Sequence, residues 1–163
     1  LMGKETDDKF LAHVLAQIND KASVAKVADT FTMVYTPFHG TGYQQIPYVL
    51  GELGIRHLHC VPEQMVIDGT FPTVKSPNPE TPESFALALD LAKKVNADLI
   101  LGSDPDADRV ASQVRDKNGQ YVQISGRAAA GLSDRRQKAG RDPARRRCGP
   151  QVSGDNGYGP RGR

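Results

Sequence analysis

Asp104, Asp106 and Asp108 stand at alternate positions, and Arg109 follows directly. In an extended loop that alternation points three carboxylates to one side. Carboxylates held together in a low dielectric repel one another strongly unless a cation lies between them. A hard divalent ion with oxygen ligands, Mg²⁺ ahead of Ca²⁺, suits this donor set. Arg109 adds a planar fork of donors that matches a phosphate or a carboxylate. Metal plus arginine in one loop is the chemistry of a phosphate-handling site.

Three other readings of the loop compete. Aspartates are common in turns simply because they favour turns and water. A calcium EF-hand opens with the same spacing, but its sixth residue should be Gly and is Arg109, and its twelfth should be Glu and is Arg115. A phosphatase nucleophile of the Asp-x-Asp kind does not call for a third Asp followed by Arg. The metal loop leads.

The elements that must position these residues follow from the pattern on either side. Leu99, Ile100 and Leu101 read as a short buried strand, ended by Gly102 and Ser103. Upstream, residues 6–19 place Phe10, Leu11, Val14, Leu15 and Ile18 in a helical apolar stripe. Residues 31–35 are β-branched and aromatic and predict a strand. It runs into Thr36-Pro-Phe-His-Gly-Thr-Gly, and a helix over 43–53 should follow, capped by Gly54. Residues 55–61 predict a second strand with His57 and His59 on one face. Five prolines between Pro62 and Pro82 forbid regular structure there. Long irregular stretches of this kind are usually functional or pack against another domain. Thr81 should cap a helix with Pro82 at its first position, running to about Val95 with Lys93 and Lys94 at its negative end. Residues 110–115 and 120–124 predict a hairpin around Asn118-Gly119.

The order β-α-β-α-β followed by a hairpin predicts an α/β fold with a mainly parallel sheet and an antiparallel edge, in three layers. Right-handed crossovers would gather the His39 loop, the proline-rich stretch and the aspartate loop on one rim. A ligand would sit there.

Composition sets the outer bounds. The 163 residues suffice for one domain with a core. The net charge of +2 hides a net of −5 over residues 1–126 and of +7 over residues 127–163. Two cysteines make no disulfide framework, which favours a reducing, cytoplasmic setting. No apolar stretch approaches membrane-spanning length, and no signal peptide opens the chain. Leu1 in place of Met predicts a true start further upstream.

Three segments together carry a family resemblance: Tyr-Thr-Pro-Phe-His-Gly-Thr-Gly (35–42), Asp-Gly-Thr-Phe-Pro-Thr-Val-Lys-Ser-Pro-Asn-Pro-Glu (68–80) and Gly-Ser-Asp-Pro-Asp-Ala-Asp-Arg (102–109). In this the chain resembles the α-D-phosphohexomutases, the phosphoglucomutase and phosphomannomutase family, over residues 1–126. The resemblance implies the second of four domains, with residues 1–30 as a connector from a missing first domain and 31–126 as the metal-loop domain. It implies Asp104, Asp106 and Asp108 as Mg²⁺ ligands. It places Arg109 against the transferring phosphoryl group and Asp108 close to the bound sugar. The implied reaction passes a phosphoryl group between the 1- and 6-positions of a hexose phosphate, through a phosphoserine and a hexose bisphosphate. The Thr-Ala-Ser-His-Asn-Pro nucleophile loop and the sugar-recognition loop of that family are absent here. This fragment alone is therefore expected to be inactive, with the missing domains of the parent chain as its partners. His39 is expected to be structural, since the family's acid–base groups lie elsewhere. His57 and His59 lack a third ligand and read as ordinary strand histidines.

From Arg127 the family pattern stops, and apolar residues nearly vanish, so residues 127–163 read as a basic, disordered tail. Nucleic-acid binding is one reading of it, giving the rival function of a non-catalytic Mg²⁺-binding module with a basic arm. A shift of reading frame is the favoured one. Read one base later, codons for Asp155-Asn156-Gly157-Tyr158 followed by Gly159 allow Thr-Thr-Asp-Met, close to the strand end that the family shows at this distance.

Overall fold

In the computed structural model, residues 3–18 and 20–124 are described. The expectations for residues 125–163, the basic arm and the frame shift included, lie outside the described residues.

Among the described residues five strands form one sheet: β1 (Thr32–Thr36), β2 (His57–Cys60), β3 (Leu99–Ser103), β4 (Val110–Arg115) and β5 (Tyr121–Ile124). Their order is β2-β1-β3-β4-β5. β1 runs parallel to both of its neighbours, and β3, β4 and β5 pair antiparallel. The expected mixed sheet with an antiparallel edge is therefore present. Gly102 and Ser103 do not end β3. They pair with Ala111 and Val110, because β4 turns back at once and offers them partners.

Among the described residues the α-helices are α1 (Lys4–Ala16), α2 (Lys21–Ala25), α3 (Gln45–Leu53) and α4 (Ala86–Val95), and α3 and α4 pack on the sheet. Successive residues of a strand face opposite ways, and the side chains of β1 follow suit. Val34 and Ile100 join Phe85, Ala88 and Ala92 in the core on the α4 side. Tyr35 and Ser103 share a hydrogen bond of 2.8 Å on the other face, next to Ile46 of α3. Phe38 and Phe85 meet edge to face at 5.2 Å and close the core below the loops. Burying each such ring stabilises the fold by about 2–3 kcal/mol.

The helix predicted over residues 6–19 is α1, which starts at Lys4 and stops at Ala16. Asp20 accepts from Ser23 N at 2.9 Å and starts α2 as a separate element, leaving Ile18 beyond the end of α1. α1 lies against α3 and buries none of its residues fully. The helix expected at Thr81 starts later: Pro82–Phe85 is a 3₁₀ turn, and α4 begins at Ala86. Thr81 caps through its backbone, its carbonyl accepting from Ser84 N at 3.1 Å. The hairpin is present, but Asn118-Gly119 is not a tight two-residue turn. Asp116 Oδ1 accepts from Asn118 N and Gln120 N at 2.8 Å each, so only Gly119 takes the left-handed conformation (φ 79°) and a bulged loop results.

Asp98 ties three strands together. Its carboxylate accepts from Thr32 N (3.0 Å) at the start of β1 and from Arg115 Nη2 (2.8 Å) at the end of β4. The Thr32 N–H is the main reason its carboxyl titrates below the ordinary range; burial pushes the other way, and Arg115 adds to the lowering. A depressed native value means stability that is present above the unfolded value, about pH 4, and lost as pH falls through the native one. The stability gap between wild type and Asp98→Asn should thus be open at pH 7 and should narrow below about pH 4. Urea unfolding at several pH values measures it, and a gap independent of pH would refute the account.

Candidate metal and phosphate site

The carboxyl ends of β1 and β3 lie side by side at the point where the chain reverses its direction of travel across the sheet. Such a crevice is where open α/β sheets bind ligands. Two loops leave it, residues 37–42 after β1 and residues 104–109 after β3. Thr41 joins them, its N and Oγ1 donating to Pro105 O at 2.8 and 3.0 Å. The contact requires Gly40, since a Cβ there would stand 2.3 Å from Pro105 Cα.

The aspartate loop is coiled where sequence alternation predicts it extended. Ala107 N donates to Asp104 O at 3.0 Å, and Ala107 itself is left-handed (φ 60°). The three carboxylates converge all the same. One oxygen from each lies within 4.8 Å of the others, with Asp104 buried and Asp106 and Asp108 exposed. Among the described residues this is the one group of three or more His, Cys, Asp or Glu side chains placed to hold a metal. The donor set is all oxygen and all anionic, which fits a hard divalent cation.

Arg109 turns back into the loop. Its N donates to Asp104 Oδ1 (2.9 Å) and its Nε to Oδ2 (2.7 Å), while Asp108 Oδ1 lies 3.7 Å away. Nη1 reaches Asn78 Oδ1 across the proline-rich segment at 3.4 Å. Burial alone would push the Asp104 carboxyl up, but the Arg109 backbone and guanidinium donors together hold it below the ordinary value. Asp108 moves the opposite way, pushed up by the neighbouring Asp104 carboxyl and then by the charge of Asp106. Crowding of this kind is what a divalent cation relieves.

The proline-rich stretch is fastened to the same rim by a polar chain that starts buried and ends at exposed Thr73. Thr36 Oγ1 donates to Gln64 Oε1 (2.5 Å), Gln64 Nε2 donates to Thr73 Oγ1 (2.9 Å), and Thr73 Oγ1 meets His39 Nε2 (2.8 Å). His39 Nδ1 donates to Val66 O at 3.0 Å. Both ring nitrogens are engaged and the residue is buried, so His39 is a fastening of the loop, as expected. His57 and His59 are exposed on β2, and His57 Nε2 meets the Asp29 carbonyl at 3.0 Å. An apolar groove of about 230 Å³ runs between α1 and α3 past Ala107, lined by Phe10, Val14, Ile46 and Leu50. Apart from Gln45 its lining is apolar, and it carries no cationic side chain for a phosphate.

Sequence reasoning missed Gln64, Thr73, Asn78 and Gln123. Asn78 had a local signal, an Asn between two prolines. The other three act over gaps in sequence that no spacing rule covers.

A three-layer α/β domain with three converged carboxylates and an arginine at its crevice defines a class: α/β domains whose donors suit a divalent cation beside a phosphate. The comparisons with known proteins narrow it. The family described as phosphoglucomutase/phosphomannomutase, alpha/beta/alpha domain II, matches residues 8–119. The chain belongs to the phosphoglucomutase/phosphomannomutase family and carries its domain II. It is 43% identical over 112 residues to a probable phosphomannomutase of Haemophilus influenzae, covering 68% of this chain and 23% of that protein. It is 37% identical over 118 residues to a phosphoribomutase of Saccharomyces cerevisiae, covering 69% and 18%. In fold it is similar to a phosphoglucomutase/phosphomannomutase family protein of Burkholderia thailandensis (TM-score 0.52, 22% identity), over 71% of this chain and 22% of that one. The chain thus spans less than a quarter of the length of these curated relatives. No helix among the described residues is long and apolar enough to cross a membrane.

Proposed function

We propose that this chain supplies the divalent-metal and phosphate site of a phosphosugar mutase, with Asp104, Asp106 and Asp108 as ligands of Mg²⁺. The observation that supports this most is the convergence of the three carboxylates beside Arg109, in a crevice of a family domain. Bound there, Mg²⁺ supplies charge neutralisation for phosphoryl oxygens. The chain's own residues do the rest. Asp104 holds Arg109 by two donors, and the outer nitrogens of Arg109 are offered to a phosphate oxygen. Asp108, exposed at the mouth, lies where a bound sugar would approach.

On this reading residues 1–30 connect to a preceding domain and residues 31–126 form the metal-loop domain. The phosphoserine and the sugar-selecting loop come from other domains, so the 163-residue chain alone turns over no phosphosugar. The substrates are hexose phosphates and their bisphosphates, handled in the cytoplasm; which sugar is taken is decided outside this chain. The rival reading of a basic arm for nucleic acid rests on residues outside those described, and no comparison supports it.

Mn²⁺, as a paramagnetic stand-in for Mg²⁺, tests the proposal directly. Titrated into the 163-residue chain, it should saturate one site and broaden the amide signals of Ser103, Asp104 and residues 106–110. Asp106→Asn should weaken that binding at least about tenfold while leaving the fold intact, because Asp106 is exposed. Equal affinity in the variant would remove the metal reading.

A further inference from the structure

Arg109 is half exposed, on a long stem that solvent would leave free to swing. Two contacts stop it. Asp104 holds Nε from within the loop, and Asn78 Oδ1 meets Nη1 from the proline-rich segment. Two separated anchors fix both the direction and the plane of a guanidinium, and no hydrogen bond from Nη2 to another described residue competes for that nitrogen. At 3.4 Å the Asn78 contact steers the group and contributes little binding strength.

Asn78 can steer because it does not itself move. It sits between Pro77 and Pro79, and Pro79 is fully buried. Its Oδ1 also accepts from Glu80 N (2.9 Å), and its carbonyl from Thr81 N (3.0 Å). Gln123 Nε2 reaches back from β5 to Pro79 O (3.2 Å) and Glu80 O (3.3 Å), and Ser84 Oγ donates to Ser76 O (2.6 Å). Residues 76–81 are thus pinned at both ends to the sheet and to the start of the α4 segment, with the Asn78 amide oxygen as the fixed point facing the aspartate loop.

We infer that Asn78 is a positioning residue: from a platform locked by Gln123 and Ser84, it holds the outer end of Arg109 so that the remaining guanidinium donors face the phosphoryl group. This rests on the proposed phosphate role of Arg109. It gives the proline-rich segment a task in the reaction beyond covering the domain.

The test uses a full-length family member bearing both the Ser-Pro-Asn-Pro-Glu and Asp-Pro-Asp-Ala-Asp-Arg segments, with the changes equivalent to Asn78→Ala, Asn78→Asp and Arg109→Ala. Misplacing a reacting group by about 1 Å costs up to about 100-fold in rate. Arg109→Ala should lose about that much, and Asn78→Ala about 10–30-fold in kcat, with KM for the sugar phosphate and the Mg²⁺ requirement moving less than about threefold. Asn78→Asp keeps the acceptor oxygen and should restore kcat to within about threefold of wild type. Wild-type kcat in Asn78→Ala beside a crippled Arg109→Ala overturns the inference and leaves the metal and phosphate reading standing. Equal loss in Asn78→Ala and Asn78→Asp also overturns it, since a merely structural asparagine would behave that way. Full activity in Arg109→Ala overturns both. A readout independent of turnover, and of how well Asn78→Ala folds, is the rotation of the Arg109 guanidinium in the 163-residue chain by NMR. Rotation should be restricted in the wild type and in Asn78→Asp; free rotation in the wild type overturns the inference.

Discussion

Asp104→Asn should abolish divalent-metal binding and destabilise the chain by about 2 kcal/mol, whereas Asp106→Asn should weaken that binding at least about tenfold at almost no cost in stability. The two aspartates share a loop and differ in surroundings. Asp104 is fully buried, and both of its oxygens accept from Arg109. An asparagine keeps one acceptor but turns an NH₂ toward a donor of Arg109, so two N–H groups face each other inside the protein. Donors left unpaired on burial cost about 1–3 kcal/mol, more where charge is involved. Half of Arg109 is in water, and solvent screening keeps the effect below the top of that range. Urea unfolding beside Mn²⁺ titration separates the two roles. Asp104→Asn as stable as wild type would mean that the carboxylate serves the metal alone.

Gly40→Ala should destabilise by about 3 kcal/mol and weaken metal binding with it. Gly40 adopts an extended backbone (φ −93°) that alanine takes without strain, so the whole effect is steric. The added Cβ would stand 2.3 Å from Pro105 Cα and 2.6 Å from Pro105 O, and both are backbone atoms that cannot rotate aside. The two loops must part by about 1 Å to reach ordinary contact, carrying Asp104 and Asp106 with them. Gly51→Ala in α3 is the matched control. Nothing lies within 4 Å of its Cβ position, so helix propensity alone acts and stability should rise by about 0.5–1 kcal/mol. Thermal melts of the two variants should move in opposite directions; a neutral Gly40→Ala would show that the loops have room to separate.

The residues that converge in the candidate site were legible in the sequence and their geometry was not. Asp104, Asp106, Asp108 and Arg109 could be singled out because three carboxylates at alternate positions repel one another, and a divalent cation is the simplest relief. Alternation also suggested an extended loop, and there the reading failed. The convergence comes from a coiled turn with Ala107 left-handed, a conformation that alanine has no side chain to stabilise and that no propensity predicts. The strands and helices were legible from periodicity, with ends shifted where a neighbour decided the matter. Gly102 and Ser103 look like strand breakers and remain in β3 because β4 pairs with them. The apolar stripe of the first helix carried the reading on to Ile18, which lies beyond the end of α1 at Ala16. The fastening of the proline-rich stretch was invisible. Thr36 and Gln64 meet across 28 positions, and His39 and Thr73 across 34, so only the folded chain shows them to be one network.

The seam between Gly40 and Pro105 bears on how this domain can drift over generations. Two loops from neighbouring strands touch backbone to backbone and share the Pro105 carbonyl, so neither can gain or lose a residue without unseating the other. Insertions and deletions should be purged from both, and a rare one tolerated only with a compensating change across the seam. The hairpin loop between β4 and β5, which is held by its own Asp116, is under no such tie and is free to vary in length. Length variation among descendants of this sequence should therefore fall at one end of the sheet and spare the other.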